Sequence, residues 1–426
     1  MAPEKPIITR CFAGRTAFAI VAALAVPRLA AGGPDARAPL TEEEALRRGL
    51  SRPALAELET GQVGMARADA LAARVWPNPT VSYSREETHG SPSASTEDYA
   101  WLTQSLDLAG RRRLHGQAAG RRVEAANDQL EARRGGLVAE IRERFYETLV
   151  EQRKVRALEE WSRQMGRVAG TVGKREAAGE VSGYDRRRLD RERASAEARL
   201  RAAQATLERA RERLSALIGG EAAPGPDGDA VRGELLPPAD VRPLQELLTA
   251  LSTRPDLRAL EREVSAAELE ARAAGRWWLP EVTVNGGLKT VDVGSDRVTG
   301  FLAGLSVPLP LLDRSQGDAL RAVSRAQAAR GQRVIEIERA AGEVRGLWAE
   351  ATWLAAAARQ LRHEAVAPAA TLVRGAEAAY AGGEMDILEL LDAHRGAVDA
   401  EVQALELELN ARRARIELDR VTGGGL

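Results

Sequence analysis

The chain has 426 residues, enough for two or three ordinary domains or for one large elongated one. Its 61 basic and 62 acidic side chains leave a net charge of -1, so the composition does not favour a nucleic-acid partner. Charged residues make up 29% and aromatic residues 4%, and the richness in Ala, Arg, Glu and Leu is typical of coiled coils rather than of a compact globular core.

Residues 1–38 are interpreted as a signal peptide and leader. Basic residues precede an apolar run at 16–26, which is too short to span a bilayer, and small residues follow it. A disordered cytosolic leader is the alternative. Cys11 is the only cysteine and precedes the run, so signal removal would leave a mature chain without disulfides. The later sequence has no stretch of 18 apolar residues, so no membrane-spanning helix is predicted.

The predicted elements then alternate between helices and hairpins. Ser51 and Pro53 are expected to open the second helix, and the Trp-Pro-Asn-Pro at 76–79 ends it. A helix of 68 residues is predicted in the long stretch without proline, and it would measure about 100 Å. Pro368 is expected to kink the corresponding helix of the second half. The predicted helices cover approximately residues 41–50, 53–75, 111–178, 184–218, 313–380 and 384–422.

Four strands are predicted from the alternation of apolar and polar residues. They are Thr80–Glu86, Asp98–Leu106, Val282–Val293 and Val298–Leu309. The first pair is joined by a polar loop at 89–93 and the second pair is turned at 294–296.

The chain repeats itself at a nearly constant interval. The offsets between matching motifs are 202, 203, 203, 204 and 204 residues, so two copies of one unit are present with few insertions. The matching motifs are Arg52-Pro53 with Arg254-Pro255, Trp76-Pro77 with Leu279-Pro280, Ser105-Leu106 with Pro308-Leu309, Gly179-Glu180-Val181 with Gly383-Glu384-Met385, and Gly219-Gly220 with Gly423-Gly424. The predicted organisation is a first repeat at 39–220, a linker at 221–240 and a second repeat at 241–424.

Heptad spacing indicates that the long helices need partner helices. One such series is Leu200, Leu207 and Leu214, and another is Leu391, Val398 and Leu405. The two shorter helices of each copy together approach the length of the long one, so they are expected to stack end to end beside it. The predicted fold is therefore mainly α, with a tall wall of helices that carries four strands at one end.

Four strands with open edges are not stable in lipid, so a membrane barrel would have to be shared by several chains. A soluble pair of open hairpins is the alternative.

These features resemble TolC-type outer-membrane efflux proteins over about residues 40–424. The resemblance rests on the duplicated order, the Trp-Pro-Asn-Pro at 76–79 and the run from Val307 to Gly317. The Pro-Leu-Pro-Leu-Leu-Asp-Arg-Ser-Gln-Gly within that run is similar to the CzcC-like branch, which serves heavy-metal exporters.

The resemblance implies a homotrimer in the cell outer membrane, with most of the chain in the periplasm. Its twelve strands would form one transmembrane β-barrel in lipid, and its helices would form a coiled-coil tunnel. A periplasmic adaptor and an inner-membrane pump of the resistance-nodulation-division type would deliver the substrate. A soluble periplasmic structural coiled coil and an adaptor protein remain as alternatives.

The segment from Tyr380 to Ala393 resembles the family's periplasmic entrance. By this resemblance Glu389 and Asp392 ring the narrowest constriction, and Tyr380 takes part in closing it. Six carboxylates in a threefold aperture would attract cations and raise one another's proton affinity. Met385 replaces a basic residue that is usual in the family. An ordinary solvated helix face is the alternative interpretation.

The first copy carries the opposite charge at the same end. Arg186, Arg187 and Arg188 follow Asp185, and Arg188 aligns with Asp392. One hypothesis is that an arginine of this group pairs with Glu389 or Asp392 to hold the entrance shut; the other is that these arginines face water or the adaptor. The predicted adaptor-docking tips comprise Gly179, Val181, Ser182, Gly183, Gly382, Gly383, Met385 and Asp386. Their glycines also have a purely structural explanation, because glycine permits a tight helix reversal.

Catalytic, cofactor and metal sites are not predicted. The histidines lack the spacing of a helical metal site and are interpreted as surface residues. They are His89, His115, His363 and His394. The run from Gly170 to Lys174 lacks the glycine spacing of a phosphate loop, and Arg175 stands where a hydroxyl would bind magnesium. An enzyme is therefore not expected.

Overall fold

The computed structural model describes residues 39–90, 95–220, 229–293 and 296–423. The predicted signal peptide lies outside these residues, as do parts of both hairpin turns and of the linker. The first half contains α1 (Glu42–Leu50), α2 (Pro53–Ala72), β1 (Thr80–Thr88), β2 (Ser95–Leu106), α3 (Arg111–Ala177) and α4 (Gly183–Ile218). The second half contains α5 (Leu244–Ala250) with a 3₁₀ turn (Leu251–Thr253), α6 (Pro255–Ala274), β3 (Val282–Val293), β4 (Asp296–Ser306), α7 (Gln316–Leu361), a π-helical turn (Arg362–Val366), α8 (Ala367–Gly382) and α9 (Ile387–Val421).

The first two helices begin as their sequences indicate, with one difference. The Thr41 hydroxyl accepts a hydrogen bond from the Glu44 amide at 3.3 Å, which caps α1. Pro53 lies in the first turn of α2, where its missing N–H costs nothing. The residue at the N-cap of α2 is Arg52 rather than Ser51, which instead caps the end of α1.

The helices form a wall in which the shorter ones stack beside the longer ones. Helix α3 has 67 residues, about 100 Å at ~1.5 Å per residue, and packs against α2 and α6 as well as α4 and α9. Helix α7 packs against α6 and α9. The start of α2 meets the end of α4 because Arg52 donates hydrogen bonds to the carbonyl groups of Ala216 and Leu217 at 3.0 and 3.1 Å. End-to-end stacking is confirmed by this contact.

The same backbone turns recur in the two halves. Gly179 and Gly383 have φ of 78° and 77°, and Gly219 and Gly423 have φ of 70° and 69°. These left-handed positions terminate helices, and glycine adopts them without the Cβ penalty of other residues. The two members of each pair are 204 residues apart, so the motif spacing in the sequence coincides with a repeated backbone conformation.

The four strands form one antiparallel sheet in the order β1-β2-β3-β4, with β1 and β4 at its edges. Residues that pair across adjacent strands point to the same side of the sheet. The registers therefore bring most of the exposed apolar side chains together on one face. Phe301 at 91% exposure and Leu305 lie on that face. Its other apolar members include Val81, Tyr83, Leu102 and Leu288. The opposite face carries Ser82, Ser84, Tyr99, Trp101 and Asn285.

Three of the four strands differ from their predicted limits. Strand β1 extends to Thr88, and β2 begins at Ser95, before the charged pair Glu97 and Asp98. These charges are tolerated because the Lys289 ammonium lies 2.5 Å from Glu97 and the Tyr83 hydroxyl donates to Asp98 at 2.6 Å. Strand β4 runs over Asp296–Ser306 rather than 298–309; the prolines that follow cannot donate a ladder hydrogen bond.

The predicted kink near Pro368 takes the form of a π-helical turn. The turn covers Arg362–Val366 and lies immediately before α8, whose first turn contains the proline. A proline removes one helical N–H and crowds the preceding turn, which the wider π-helical hydrogen bonding accommodates. Arg362 on this turn donates to Glu401 at 2.6 Å and to Glu408 at 2.8 Å, so the irregular turn is tied to α9.

Residues 229–240 of the predicted linker and the N-terminal segment form a belt against the middle of the wall. Leu40 pairs with Val231 in a parallel bridge. The Gln152 side chain bonds both the Ala230 amide at 2.8 Å and the Val231 carbonyl at 3.1 Å. The belt covers a core that includes Ile141, Phe145, Leu149, Leu214, Leu235 and Leu405. Among the described helices, none combines the length and apolarity of a transmembrane helix.

Candidate functional site at the helical tips

The two helix reversals lie side by side at the end of the wall opposite the sheet. A single apolar cluster joins them, so the tips behave as one unit. It contains Trp161, Met165, Val168 and Val172 of α3, Leu189 of α4, Tyr380 of α8, and Ile387, Leu390, Leu391 and Val398 of α9. Val181 and Met385 pack against this cluster from equivalent places in the two reversals. The remaining predicted docking residues are exposed: Gly179, Ser182, Gly183, Gly382, Gly383 and Asp386.

Each reversal ends in a side-chain cap. The Ser182 hydroxyl accepts from the Asp185 amide at 3.2 Å at the start of α4. Asp386 accepts from the Glu389 amide at 2.9 Å at the start of α9, and the Glu389 carboxylate accepts in return from the Asp386 amide at 3.4 Å. This capping box places Glu389 in the first turn of α9, where an acidic group also interacts favourably with the helix dipole.

Glu389 and Asp392 are both exposed, and they lie three residues apart on α9. Residues with this spacing are neighbours on a helix surface, so the two carboxylates face the same side. The buried residues Leu390 and Leu391 between them fix that face by packing into the tip cluster. The geometry therefore presents two acidic groups to solvent on a rigidly packed turn.

A contact that the sequence analysis did not identify links the two tips directly. The guanidinium group of Arg175 lies 5.1 Å from the centre of the Tyr380 ring and donates to the Tyr380 carbonyl at 2.9 Å. Arg175 also bonds Glu180 at 3.0 Å. Burial raises the pKa of Tyr380, so its ring is uncharged. The signal available in the sequence was only an arginine one turn before the first glycine reversal.

The three arginines of the first copy do not contact Glu389 or Asp392 within the described part of this single chain. Arg186 lies 3.1 Å from Glu176 and 3.3 Å from Asp190. Arg187 donates to the Gly183 carbonyl at 3.2 Å. The pairing of these arginines with Glu389 or Asp392 therefore stays a prediction, and it would have to form between neighbouring chains.

One histidine is buried, contrary to the interpretation of all four as surface residues. His394 is 1% exposed, and its ring lies among α3, α8 and α9. Metal-site spacing does not reveal this burial, whereas the position of His394 in the heptad pattern does. Its neighbours at intervals of three and four, Leu390, Leu391 and Val398, are all buried. His89, His115 and His363 are exposed, as predicted.

Ion pairs connect α4 and α9 beside the tip cluster. Glu192 is 4% exposed and accepts from Arg395 at 3.1 Å, with a second, closer contact to the same guanidinium group. Arg199 lies 2.9 Å from Asp399 further along the same helices. The described residues contain no group of three His, Cys, Asp or Glu side chains that could hold a metal ion.

A helical wall about 100 Å tall, with an open-edged sheet at one end and two adjoining helix reversals at the other, is the architecture of a channel subunit. The family model of the outer membrane efflux proteins matches residues 50–220 and 247–424. The chain belongs to this family and is an outer-membrane channel component of an efflux system.

The chain is similar to the cobalt-zinc-cadmium resistance protein CzcC of Cupriavidus metallidurans, with 28% identity over 403 residues that cover 93% of this chain and 92% of the relative. It is 26% identical over 294 residues to the nickel and cobalt resistance protein CnrC of the same organism, covering 64% of each chain. Its fold is similar to that of the channel CusC, with a TM-score of 0.74, 20% identity, and coverage of 90% of this chain and 92% of CusC.

Proposed function

We propose that three copies of this chain form one closed duct, with a twelve-stranded barrel in the outer membrane and a helical tunnel in the periplasm. The open edges of β1 and β4 support this arrangement. An unpaired strand edge in lipid costs several kcal/mol per unsatisfied group, and closure around a ring removes every edge. The apolar face that bears Phe301 and Leu305 would contact lipid, and the face that bears Ser82 and Asn285 would line the pore.

The outer helices of the wall support the same assembly. Helix α2 exposes Leu58, Met65 and Leu71, and α7 exposes Leu320, Val334, Ile335 and Trp353. Isolated exposed apolar residues are common, but two rows of them on the lateral helices are suited to burial against neighbouring chains. The predicted repeats at 39–220 and 241–424, joined by the linker at 221–240, would then alternate around the ring.

The proposed cargo is a heavy-metal cation, handed over by an inner-membrane pump of the resistance-nodulation-division type through a periplasmic adaptor. The likeness to cobalt, zinc, cadmium and nickel resistance proteins over most of the chain supports this assignment. The exposed carboxylates of Glu389 and Asp392 would surround the entrance and attract cations electrostatically. The exposed glycine-rich reversals at 179–183 and 382–386 would receive the adaptor.

Closure of the entrance is proposed to involve Tyr380 and the arginines of the first copy. In the ring, Arg186, Arg187 or Arg188 of one chain would pair with Glu389 or Asp392 of the next. Exchange of charge between Arg188 and Asp392 tests the pairing: each single reversal should raise the resting conductance, and the double reversal should restore it. A double reversal that conducts as freely as the single ones would contradict the pairing.

The function is tested by deleting the gene from its native host and measuring growth on zinc, cobalt, cadmium and organic drugs. We expect increased sensitivity to the metal ions, and restoration by the full-length chain. Sensitivity to organic drugs alone would contradict the metal assignment. Detergent extracts of outer membranes should contain a trimer that migrates faster before heating than expected for its mass. A soluble periplasmic coiled coil or an adaptor would be absent from that fraction.

A further inference from the structure

We propose that a groove between α3 and α6, next to the sheet, binds the phosphate group of an anionic phospholipid, with Arg74 and Arg272 as its ligands. The lipid would belong to the periplasmic leaflet of the outer membrane. This inference rests on the proposed placement of the sheet in that membrane. It concerns a surface at the opposite end of the wall from the proposed entrance.

The groove lies where two helices join the sheet. It occupies about the last three turns of α6 and begins within about two turns of the start of α3, at about 3.6 residues per turn. Its volume of about 530 Å³ is within the usual range for small-molecule sites. The groove is therefore large enough for a phosphate-bearing headgroup.

Two glycines of α3 make room for Arg74. A Cβ atom at Gly116 would lie 2.7 Å from the Arg74 Cγ atom, and one at Gly120 would lie 3.4 Å from the Arg74 Nη2 atom. The stem of Arg74 therefore lies against α3 at Gly116, and its guanidinium group lies beside Gly120 in the groove. A larger side chain at Gly116 would displace this arginine.

The acidic residues of the groove already have cationic partners. Glu124 lies 2.9 Å from Arg121 and 3.3 Å from Arg262. Glu268 lies 2.8 Å from Arg330. These carboxylates are therefore neutralised without the other two arginines that line the groove.

The two remaining cations are Arg74 and Arg272. Both are exposed, and neither guanidinium group has a hydrogen-bond or ion-pair partner among the residues that the structure describes. Gln117 and Ser265 add an amide and a hydroxyl group to the same groove. Phosphate oxygens accept charge-assisted hydrogen bonds from guanidinium groups, so these four side chains suit a phosphate.

The groove and the belt lie on the same side of α3. Gly120 in the groove is separated from Gln152, which bonds the belt, by close to nine helical turns at about 3.6 residues per turn. In the proposed duct the belt lies outside the tunnel, because it would obstruct the passage if it lay inside. The groove therefore faces outward, toward the lipid headgroups.

Exposed tryptophans lie between the groove and the sheet. Trp76 is 52% exposed in the connection from α2 to β1, and Trp278 is 65% exposed in the connection from α6 to β3. Tryptophan is enriched where the hydrocarbon of a bilayer meets its headgroups. The headgroups would then lie at the level of the groove, where free arginines attract anionic lipids.

Native mass spectrometry of the full-length trimer in detergent tests the inference, with phosphatidylglycerol as the probe. Arg74→Gln/Arg272→Gln removes both charge-assisted contacts, so we expect it to lower the affinity for this lipid at least about tenfold. Arg191→Gln/Arg209→Gln removes two exposed arginines of α4 and is the matched control, which should bind as the wild type does. Equal affinity in the two double variants would overturn the inference.

Gly120→Asp provides a second test that keeps both arginines. Its Cβ atom would meet only the end of the Arg74 side chain, so the helix should form normally. Its carboxylate should pair with Arg74 and exclude the phosphate, which should weaken lipid binding. Displacement of phosphatidylglycerol by an equal concentration of inorganic phosphate would overturn the lipid assignment in favour of a free anion.

The proposed function and this inference fail separately. Absence of a heat-sensitive trimer from outer membranes would contradict the duct. The groove is formed within one chain, so its affinity for short-chain phosphatidylglycerol is measurable on the solubilised chain as well. If the trimer forms but Arg74→Gln/Arg272→Gln retains the lipid as the wild type does, only the groove inference fails.

Discussion

Arg175 lies one turn before the first helix reversal and contacts the last turn of α8, just before the second reversal. Its guanidinium group lies 5.1 Å from the centre of the Tyr380 ring and donates a hydrogen bond to the Tyr380 carbonyl oxygen at 2.9 Å. The two residues belong to different halves of the chain. They therefore couple the reversals at 179–183 and 382–386, which are otherwise joined through apolar packing.

Removing this link should loosen the tip. In Arg175→Ala, loss of the ring contact and of a charge-assisted hydrogen bond should cost about 1–2 kcal/mol, which corresponds to about a tenfold increase in the ratio of open to closed channels. Single-channel conductance in lipid bilayers measures this ratio. Lys174→Ala, at the exposed neighbouring position, is the control. Equal open probability in the two variants would show that the link has no part in closure.

The sheet allows a sharp test of its strand register. Trp101 lies opposite Gly287, and a Cβ atom at Gly287 would overlap the carbonyl oxygen of Ala100. Gly287→Ala should therefore displace β3 from β2, at a cost of about 1–3 kcal/mol, and reduce the yield of heat-sensitive trimers from outer membranes. Gly300→Ala on β4 should assemble normally, because a Cβ there meets no atom within 4 Å. Normal assembly of both variants would refute the register.

The acidic tip should make the channel prefer cations. Neutralisation in Glu389→Gln/Asp392→Asn should reduce the permeability ratio of potassium to chloride, measured as the reversal potential across a salt gradient. The effect should be largest in dilute salt, where the Debye length is about 30 Å. Glu384→Gln, an exposed acidic position in the same reversal, is the control. A reversal potential that changes equally in both variants would mean that the aperture is formed elsewhere.

The ion pair between Glu192 and Arg395 joins α4 to α9, and loss of the arginine alone should destabilise the tip more than loss of both residues. Arg395→Leu leaves the buried Glu192 carboxylate without its guanidinium partner, and we expect a loss of about 3 kcal/mol in the stability of the tip. The double variant Glu192→Leu/Arg395→Leu should recover most of that loss, since it also removes the buried carboxylate that the single variant leaves unpaired. The rate at which a protease cleaves within residues 183–220 measures the stability of the tip in each variant. A double variant weaker than Arg395→Leu would contradict the explanation.

Local sequence signals predict the helices and their reversals closely. Gly179 and Gly383 occur where the chain needs a left-handed residue, and the absence of proline permits a helix as long as α3. The predicted start of β2 at Asp98 was three residues late, because the charged Glu97 before it does not fit the alternation of a strand. Its partner Lys289, like the Tyr83 partner of Asp98, comes from a neighbouring strand that alternation within one strand does not reveal.

The helix reversals were predictable in position, but the contacts around them were not. Glu389 and Asp392 were singled out through a motif, whereas the contacts of Arg175 and His394 have no motif and result from packing between distant helices. The predicted pairing of the first-copy arginines with the carboxylates of α9 also depends on contacts between distant elements. It is set by how neighbouring chains meet, which neither periodicity nor the geometry of one chain determines.

Helix α6 of the second half fills the space between α3 of the first half and α7. Reciprocal hydrogen bonds also join the two halves: Arg276 of the second half donates to the Ala109 carbonyl at 2.6 Å, and Arg111 of the first half donates to the Leu279 carbonyl at 3.1 Å. In the proposed trimer each chain contributes two halves, so a lone half would need six identical copies to close the same cylinder, and all six ends would then bear the same charge. Fusion of two halves into one polypeptide breaks that equivalence, which leaves one end free to become basic at Arg188 while the other became acidic at Asp392.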